Sequence, residues 1–175
     1  YYIKYLFKQK NIKLKTNMHK VWKVIKEVKY GNMHECVELL QKKNYIVSHW
    51  IRDIAKRTKT DITSIKFPVE LIRVKVSDLG IKNPTTLKEI YNLLEKKELQ
   101  PIDPLIAINA RFHYDEQPKG EWLRMAVPFD SMIDSDGIPH LPKLGQGLNL
   151  LFLETYWSYP GAIFHPHNDF VVQKK

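Results

Sequence analysis

Apolar positions recur at two spacings along this chain, and the spacing changes near residue 105. Val21, Trp22, Val24, Ile25 and Val28 make a β-rich run that Gly31 ends, so a strand is expected over Val21–Val28, with a short helix as the alternative. Asn32 can cap a helix, with Glu35 three residues on, and Met33, Cys36, Val37 and Leu40 then share one helical face. Asn44–Val47 reads as a connection. Ser48 can cap a second short helix over His49–Arg57, with Trp50, Ile51, Ile54 and Ala55 as its apolar face. Phe67–Val76 reads as a strand, and Asp78, Leu79 and Gly80 turn the chain. Thr86 and Glu89 frame a capping box, and the helix that follows turns Leu87, Ile90, Tyr91 and Leu94 inward. Pro101 and Pro104 stop it.

From Leu105 the pattern reads as β. Leu105–Tyr114 and Glu121–Val127 are expected strands, joined by the loop DEQPKG at Asp115–Gly120. Turns are expected at Asp134–Gly137 and Gly145–Gly147, and further strands at Leu148–Trp157 and Phe164–Val172. Helices first and strands last predict an α+β fold. The expected architecture is an antiparallel sheet of about five or six strands on one main helix, with two short N-terminal helices.

Composition changes this picture in three ways. The 175 residues, 43% of them hydrophobic, are enough for one domain with its own core. Cys36 is the one cysteine, so no intramolecular disulfide is available. The expected location is a reducing, cytoplasmic one. No apolar run approaches the ~20 residues that a membrane span requires. The net charge is +9, but it is uneven. Residues 1–17, YYIKYLFKQKNIKLKTN, hold five lysines and no acid, and read as a non-native or disordered basic leader ahead of Met18. Residues 18–175 then form the single expected domain. Residues 18–60 carry +6 and residues 61–175 carry −2. Such asymmetry suits contact with a polyanion, and equally a lysine-rich genome.

Two basic surfaces emerge. Arg52, Lys56 and Lys59 recur along one side of the second helix, which invites comparison with a helix-turn-helix, or marks a solvated face. In the expected hairpin, Phe112 faces Leu123 and Arg111 faces Arg124. The outer face then holds Asn109, Arg111, His113, Trp122 and Arg124. Two opposed arginines beside a tryptophan suit a phosphate and a stacked base; paired with nearby acids, they make an ordinary sheet face.

Other clusters carry less. Cys36 reads as a small core residue. Asp134 and Asp136 before Gly137 lack the ligand spacing of a calcium loop and read as a turn. His165 and His167 share a strand face with Asp169, but Pro166 between them fits a terminal edge, and no metal site or cofactor is expected. His140 could pair with Glu121 or Asp136 as acid and base. Phosphate loops, dinucleotide fingerprints and nucleophile elbows are missing from the sequence. Scattered hydrolase residues are not excluded: His113, Glu121, His140, His165 and His167 are the catalytic candidates.

The segments RVKVSDLGI (Arg73–Ile81), DEQPKGEWL (Asp115–Leu123), DSDG (Asp134–Gly137) and FHPHNDFVV (Phe164–Val172), with WKVIKEVKYG from Trp22, carry a resemblance to a family of small bacterial proteins with no assigned activity. The resemblance spans most of the chain after Met18. It implies no catalytic residue. Members of that family carry a cysteine–proline pair where this chain reads LQPIDP, Leu99–Pro104, so no role of that cysteine extends here. The expected function is a cytosolic bacterial binding module that contacts nucleic acid or an acidic protein through Arg52, Lys56, Lys59, Arg111, Trp122 and Arg124. A small hydrolase or nuclease is the alternative, and a protein-interaction module the third reading.

Overall fold

Capping residues start the helices where the pattern predicts. The computed structural model describes residues 20–175, and the basic leader expected at residues 1–17 lies outside the described residues. After β1 (Val21–Ile25), α1 (Met33–Lys42) begins at Asn32, whose Oδ1 accepts from the His34 N–H at 2.8 Å. It buries Met33, Cys36, Val37 and Leu40. β2 (Ile46–Val47) leads directly to α2 (His49–Arg57), where Ser48 Oγ accepts from the Ile51 N–H at 3.3 Å. β3 spans Val69–Lys75. β4 (Thr85–Thr86) runs into α3 (Leu87–Glu95), capped by Thr86 on the Glu89 N–H at 3.3 Å. β5 is Leu99–Gln100.

The expected strand at Leu105–Tyr114 is helical. α4 (Pro104–Asn109) and a 3₁₀ turn over Ala110–His113 occupy it. Asp103 caps α4 on the Leu105 N–H at 2.8 Å, and Pro104 fits the first turn, where its missing N–H costs nothing. Leu105 to Ala110 are buried without interruption, so the helix shows no polar side and its period is erased. The hairpin about DEQPKG therefore does not form, and Arg111 does not face Arg124.

The rest is a mixed sheet. β6 (Trp122–Met125), β7 (His140–Gly147), β8 (Leu150–Trp157) and β10 (Asp169–Lys174) join the earlier strands in the order β1-β3-β10-β6-β7-β8-β2, with β5 added on β10 as the eighth strand. β10 lies parallel to β6, and β2 parallel to β8; the other pairs are antiparallel. β9 (Ile163–Phe164) pairs with β4 in a separate two-stranded ribbon. The sheet is thus larger than the five or six antiparallel strands expected, and four α-helices pack with it instead of one main helix and two short ones. Two-residue strands such as β2 and β5 are too short to show a period. The expected turn at Gly145–Gly147 lies inside β7; the chain reverses at Leu148 and Asn149, with φ of 51° and 60°. None of the helices among the described residues is long and apolar enough to cross a membrane.

The buried apolar side chains form one contiguous cluster. Leu123, Leu144 and Leu153 are cross-strand neighbours in it, fully buried. α1 packs on α2 and α4, and α2 packs on β8. The largest fully buried side chain is Arg111, at 0% exposure. Its guanidinium donates to Gln117 Oε1 at 2.6 Å, to the carbonyls of Phe152 at 3.3 Å and Gly145 at 3.4 Å, and to the Tyr114 carbonyl. Gln117 Nε2 continues to the carbonyls of Leu144 and Glu121 at 3.1 and 3.2 Å. Arg111 is thus an interior clamp between the 3₁₀ turn and the β7–β8 pair.

Arg111→Met removes the donor from Gln117 Oε1 and from the Tyr114 carbonyl. At about 1–3 kcal/mol per buried group left unpaired, the expected loss in urea unfolding is about 3 kcal/mol. A loss below about 0.5 kcal/mol, the range of ordinary surface changes, would show that Arg111 is no clamp.

Candidate nucleic-acid interface

β6, β7 and β8 bring two cross-strand rows onto one face. Trp122 pairs with Gly145 and Gly145 with Phe152; Arg124 pairs with Lys143 and Lys143 with Glu154. Cross-strand partners share a face, so these side chains lie together. The Trp122 ring rests on Gly145 so closely that a Cβ there would sit 2.2 Å from it. Only glycine admits the ring. Phe152 lies 6.2 Å from Trp122, tilted by 35°. Lys143 Nζ stands 4.5 Å from the Trp122 ring centre and 5.9 Å from that of Tyr156. Tyr156 then packs on the buried Phe164 at 5.0 Å, which closes that end of the face.

The charges here are poorly matched. Arg124 and Lys143 stand in direct register, yet neither makes an ion pair among the described residues. The Arg124 guanidinium has one long bond, from Nη1 to the Trp122 carbonyl at 3.4 Å, and its Nε is buried without a partner. Burial pulls the Arg124 pKa down. Burial, and then the Arg124 charge, pull that of Lys143 down. Glu154 acts in the opposite sense on Lys143 from the neighbouring strand. The sheet holds two adjacent cations, partly dehydrated, beside two half-buried aromatic rings.

The other predicted residues are dispersed. Arg52 and Lys56 are exposed on α2, and Lys59 is exposed just beyond it. The link before α2 contains β2, paired to β8, rather than a bare turn. Arg111 is inside. His113 is exposed, and partial desolvation of its ring, aided by Lys23, lowers its pKa. Glu121 Oε2 accepts from Arg73 Nη2 at 2.6 Å and its Oε1 from the Tyr114 hydroxyl at 2.7 Å. The same Arg73 Nη2 reaches Asp169 at 2.9 Å. His165 and His167 are exposed, their rings stacked 5.6 Å apart. Of the five catalytic candidates, only these two touch each other. The described residues hold no group of three or more His, Cys, Asp or Glu side chains placed to grip a metal ion.

His140 is buried, and its partner is Asp134 rather than Glu121 or Asp136. Its Nε2 lies 2.8 Å from Asp134 Oδ2 and its Nδ1 3.0 Å from Thr155 Oγ1, while its ring stacks on Trp50 at 5.5 Å. Asp134 Oδ1 also accepts from the Asp136 and Ile138 N–H groups, both at 2.9 Å, which makes DSDG a carboxylate-centred turn. A cleft of about 410 Å³ opens here, lined by Trp50, Asp136, Ile138, His140 and Thr155 to Trp157 among others.

Sequence reasoning located Trp122 and Arg124 and missed Lys143, Phe152 and Tyr156. The available signal was Gly145 two residues after Lys143: a glycine within a strand marks close approach by a neighbouring group.

Burial raises the Asp134 pKa, but bonds from the Ile138 N–H, His140 and the Asp136 N–H outweigh it and hold the carboxyl below its ordinary value. A depressed carboxylate contributes stability above its unfolded pKa of about 3.9 and loses it as pH falls through the folded value. Asp134→Asn is therefore expected to melt lower than the parent at pH 7, with the gap narrowing below about pH 4. A gap of constant size across that window would assign the effect to packing instead. Comparison with protein-family models, with curated proteins and with solved structures finds no match for this chain.

Proposed function

We propose that the protein binds single-stranded nucleic acid on the β6–β7–β8 face. The observation that carries this reading is the Arg124–Lys143 pair, in register, without an ion-pair partner among the described residues, and flanked by Trp122 and Phe152. A phosphate between the two cations replaces their mutual repulsion with two attractions. A base then lies within reach of the rings, where stacking contributes about 1–3 kcal/mol per base and tolerates any sequence. Paired bases hide these faces, so single strands are preferred over duplex. Arg52, Lys56 and Lys59 add long-range attraction rather than specificity.

A small hydrolase is the second reading, favoured by the carboxylate–imidazole–hydroxyl chain Asp134–His140–Thr155 beside a cleft. It draws on one of the five catalytic candidates, whereas the binding reading draws on a whole sheet face.

Fluorescence anisotropy of a labelled 15-nucleotide oligo-dT, against its duplex with oligo-dA, tests the proposal at two salt concentrations. The single strand is expected to bind more tightly, with affinity falling as salt rises. Trp122→Ala should weaken binding about five- to 150-fold, the equivalent of one lost stacking contact. Lys143→Met should flatten the slope of log K against log salt by about 0.7. The same variant should melt no lower than the parent, because it removes a dehydrated charge from beside Arg124. Salt-insensitive binding, equal binding of duplex, or no effect of either variant overturns the reading; cleavage of the oligonucleotide favours the hydrolase.

A further inference from the structure

β8 is paired on both edges only as far as Leu153. β2 lies along Phe152 and Leu153, and the Ser48 N–H donates to the Leu153 carbonyl at 3.0 Å. The chain then leaves the sheet to start α2. In an antiparallel ladder, residues two apart direct their N–H and C=O to the same edge. Leu153 faces outward, so Thr155 and Trp157 do too; Ser158, of the opposite parity, bonds inward to the Pro139 carbonyl at 3.0 Å. Among the described residues, no backbone bond reaches the outward groups of Thr155 or Trp157. Two donors and two acceptors thus stand unpaired at the end of an eight-stranded sheet.

Proteins ordinarily blunt such an edge with lysine or proline. This one instead borders the Trp50–His140 cleft. Trp157 is 53% exposed and Ile138 41%. The acids at the cleft are Asp136 and Glu154, neither in an ion pair among the described residues, and Asp134, which is held by His140. The charged groups lining the cleft are therefore acids, with Tyr156 and the His140 imidazole beside them and Lys143 across from Glu154 on β7, in a chain whose net charge is +9. That local reversal of sign selects the occupant.

We infer that the open edge of β8 accepts an extended, lysine-bearing peptide of a partner protein by strand addition. Its backbone pairs with Thr155 and Trp157, alternate side chains meet Trp50, Ile138 and Trp157, and its ammonium groups meet Asp136 and Glu154. Backbone pairing supplies affinity and the alternating pockets supply selectivity. This site adjoins the Trp122–Arg124–Lys143 face through Glu154 and Tyr156, but its backbone pairing at Thr155 and Trp157 does not involve Trp122, Arg124 or Lys143.

The probe is the blocked hexapeptide acetyl-Val-Lys-Val-Lys-Val-Lys-amide, titrated into the full chain by calorimetry. Three controls accompany it: the glutamate counterpart, the lysine peptide with alternate backbone nitrogens methylated, and the Lys143→Met protein. The expected result is saturable binding of the lysine peptide, at least tenfold weaker binding of both altered peptides, and binding by Lys143→Met no weaker than by the parent, since that variant removes the cation opposite Glu154. Amide exchange at Thr155 and Trp157 should slow on binding, and Asp136→Asn with Glu154→Gln should weaken it at least fivefold. Equal binding of the methylated peptide overturns strand addition, and equal binding of the glutamate peptide overturns the charge assignment. Self-association of the chain that protects the same two amides assigns the edge to a second copy, and overturns the peptide reading.

Discussion

The Gly145–Phe152 backbone pair is the point on which the candidate face depends. Arg111 donates to both of its carbonyls from within the core, and Trp122 rests directly on the Gly145 Cα. One buried guanidinium therefore fixes the strands on which the exposed ring is laid. A charge in the interior is costly unless its hydrogen bonds are met, and here Gln117 Oε1 and three carbonyls take the two terminal nitrogens, while Nε stays buried without a partner. The cost is tolerable because the clamp joins three distant parts of the chain: the 3₁₀ turn, the loop that carries Gln117, and the β7–β8 hairpin. Arg111, expected from the sequence to contact an anion at the surface, instead positions the β6–β7–β8 face from inside.

Arg124 and Lys143 represent the opposite solution. They too lose hydration, yet no carboxylate compensates them in an ion pair among the described residues. A sheet selected for stability alone would place an acid between them, or replace one with an apolar residue. Glu154 lies in the next strand and tempers Lys143 without pairing to it. On the binding proposal, a phosphate supplies the counter-charge that the sheet itself does not. The Arg73–Glu121–Asp169 network shows that the same fold builds matched charge clusters elsewhere.

Much of the N-terminal half was legible because its helices begin with residues of clear physical purpose. Asn32, Ser48 and Thr86 each accept from an N–H of the first turn, as their side chains allow. β3 was legible from its β-branched run. α4 was not, because a helix buried on every side presents the same apolar run as a buried strand, and the correct signal was the Asp103–Pro104 start. β7 was hidden by Pro142, Gly145 and Gly147, residues that ordinarily argue against a strand interior. Without β7 the pairing of Arg124 with Lys143 could not be seen; the like-charge opposition was anticipated, but with Arg111 as the wrong partner. The parallel insertion of β10 between β3 and β6 leaves no local trace, since it joins segments far apart in sequence.

The reversal between β7 and β8 has a kinetic consequence. A two-residue hairpin with both residues left-handed favours Asn and Gly, and here the first position is Leu148, 83% exposed. A leucine in that conformation gains nothing from solvent and resists the required φ. The turn therefore gives the hairpin little help in starting itself. Its two eight-residue strands must be brought into register by distant groups, Arg111 and Trp122 among them. The β6–β7–β8 face therefore relies for its assembly on non-local encounters rather than on the turn that joins two of its strands.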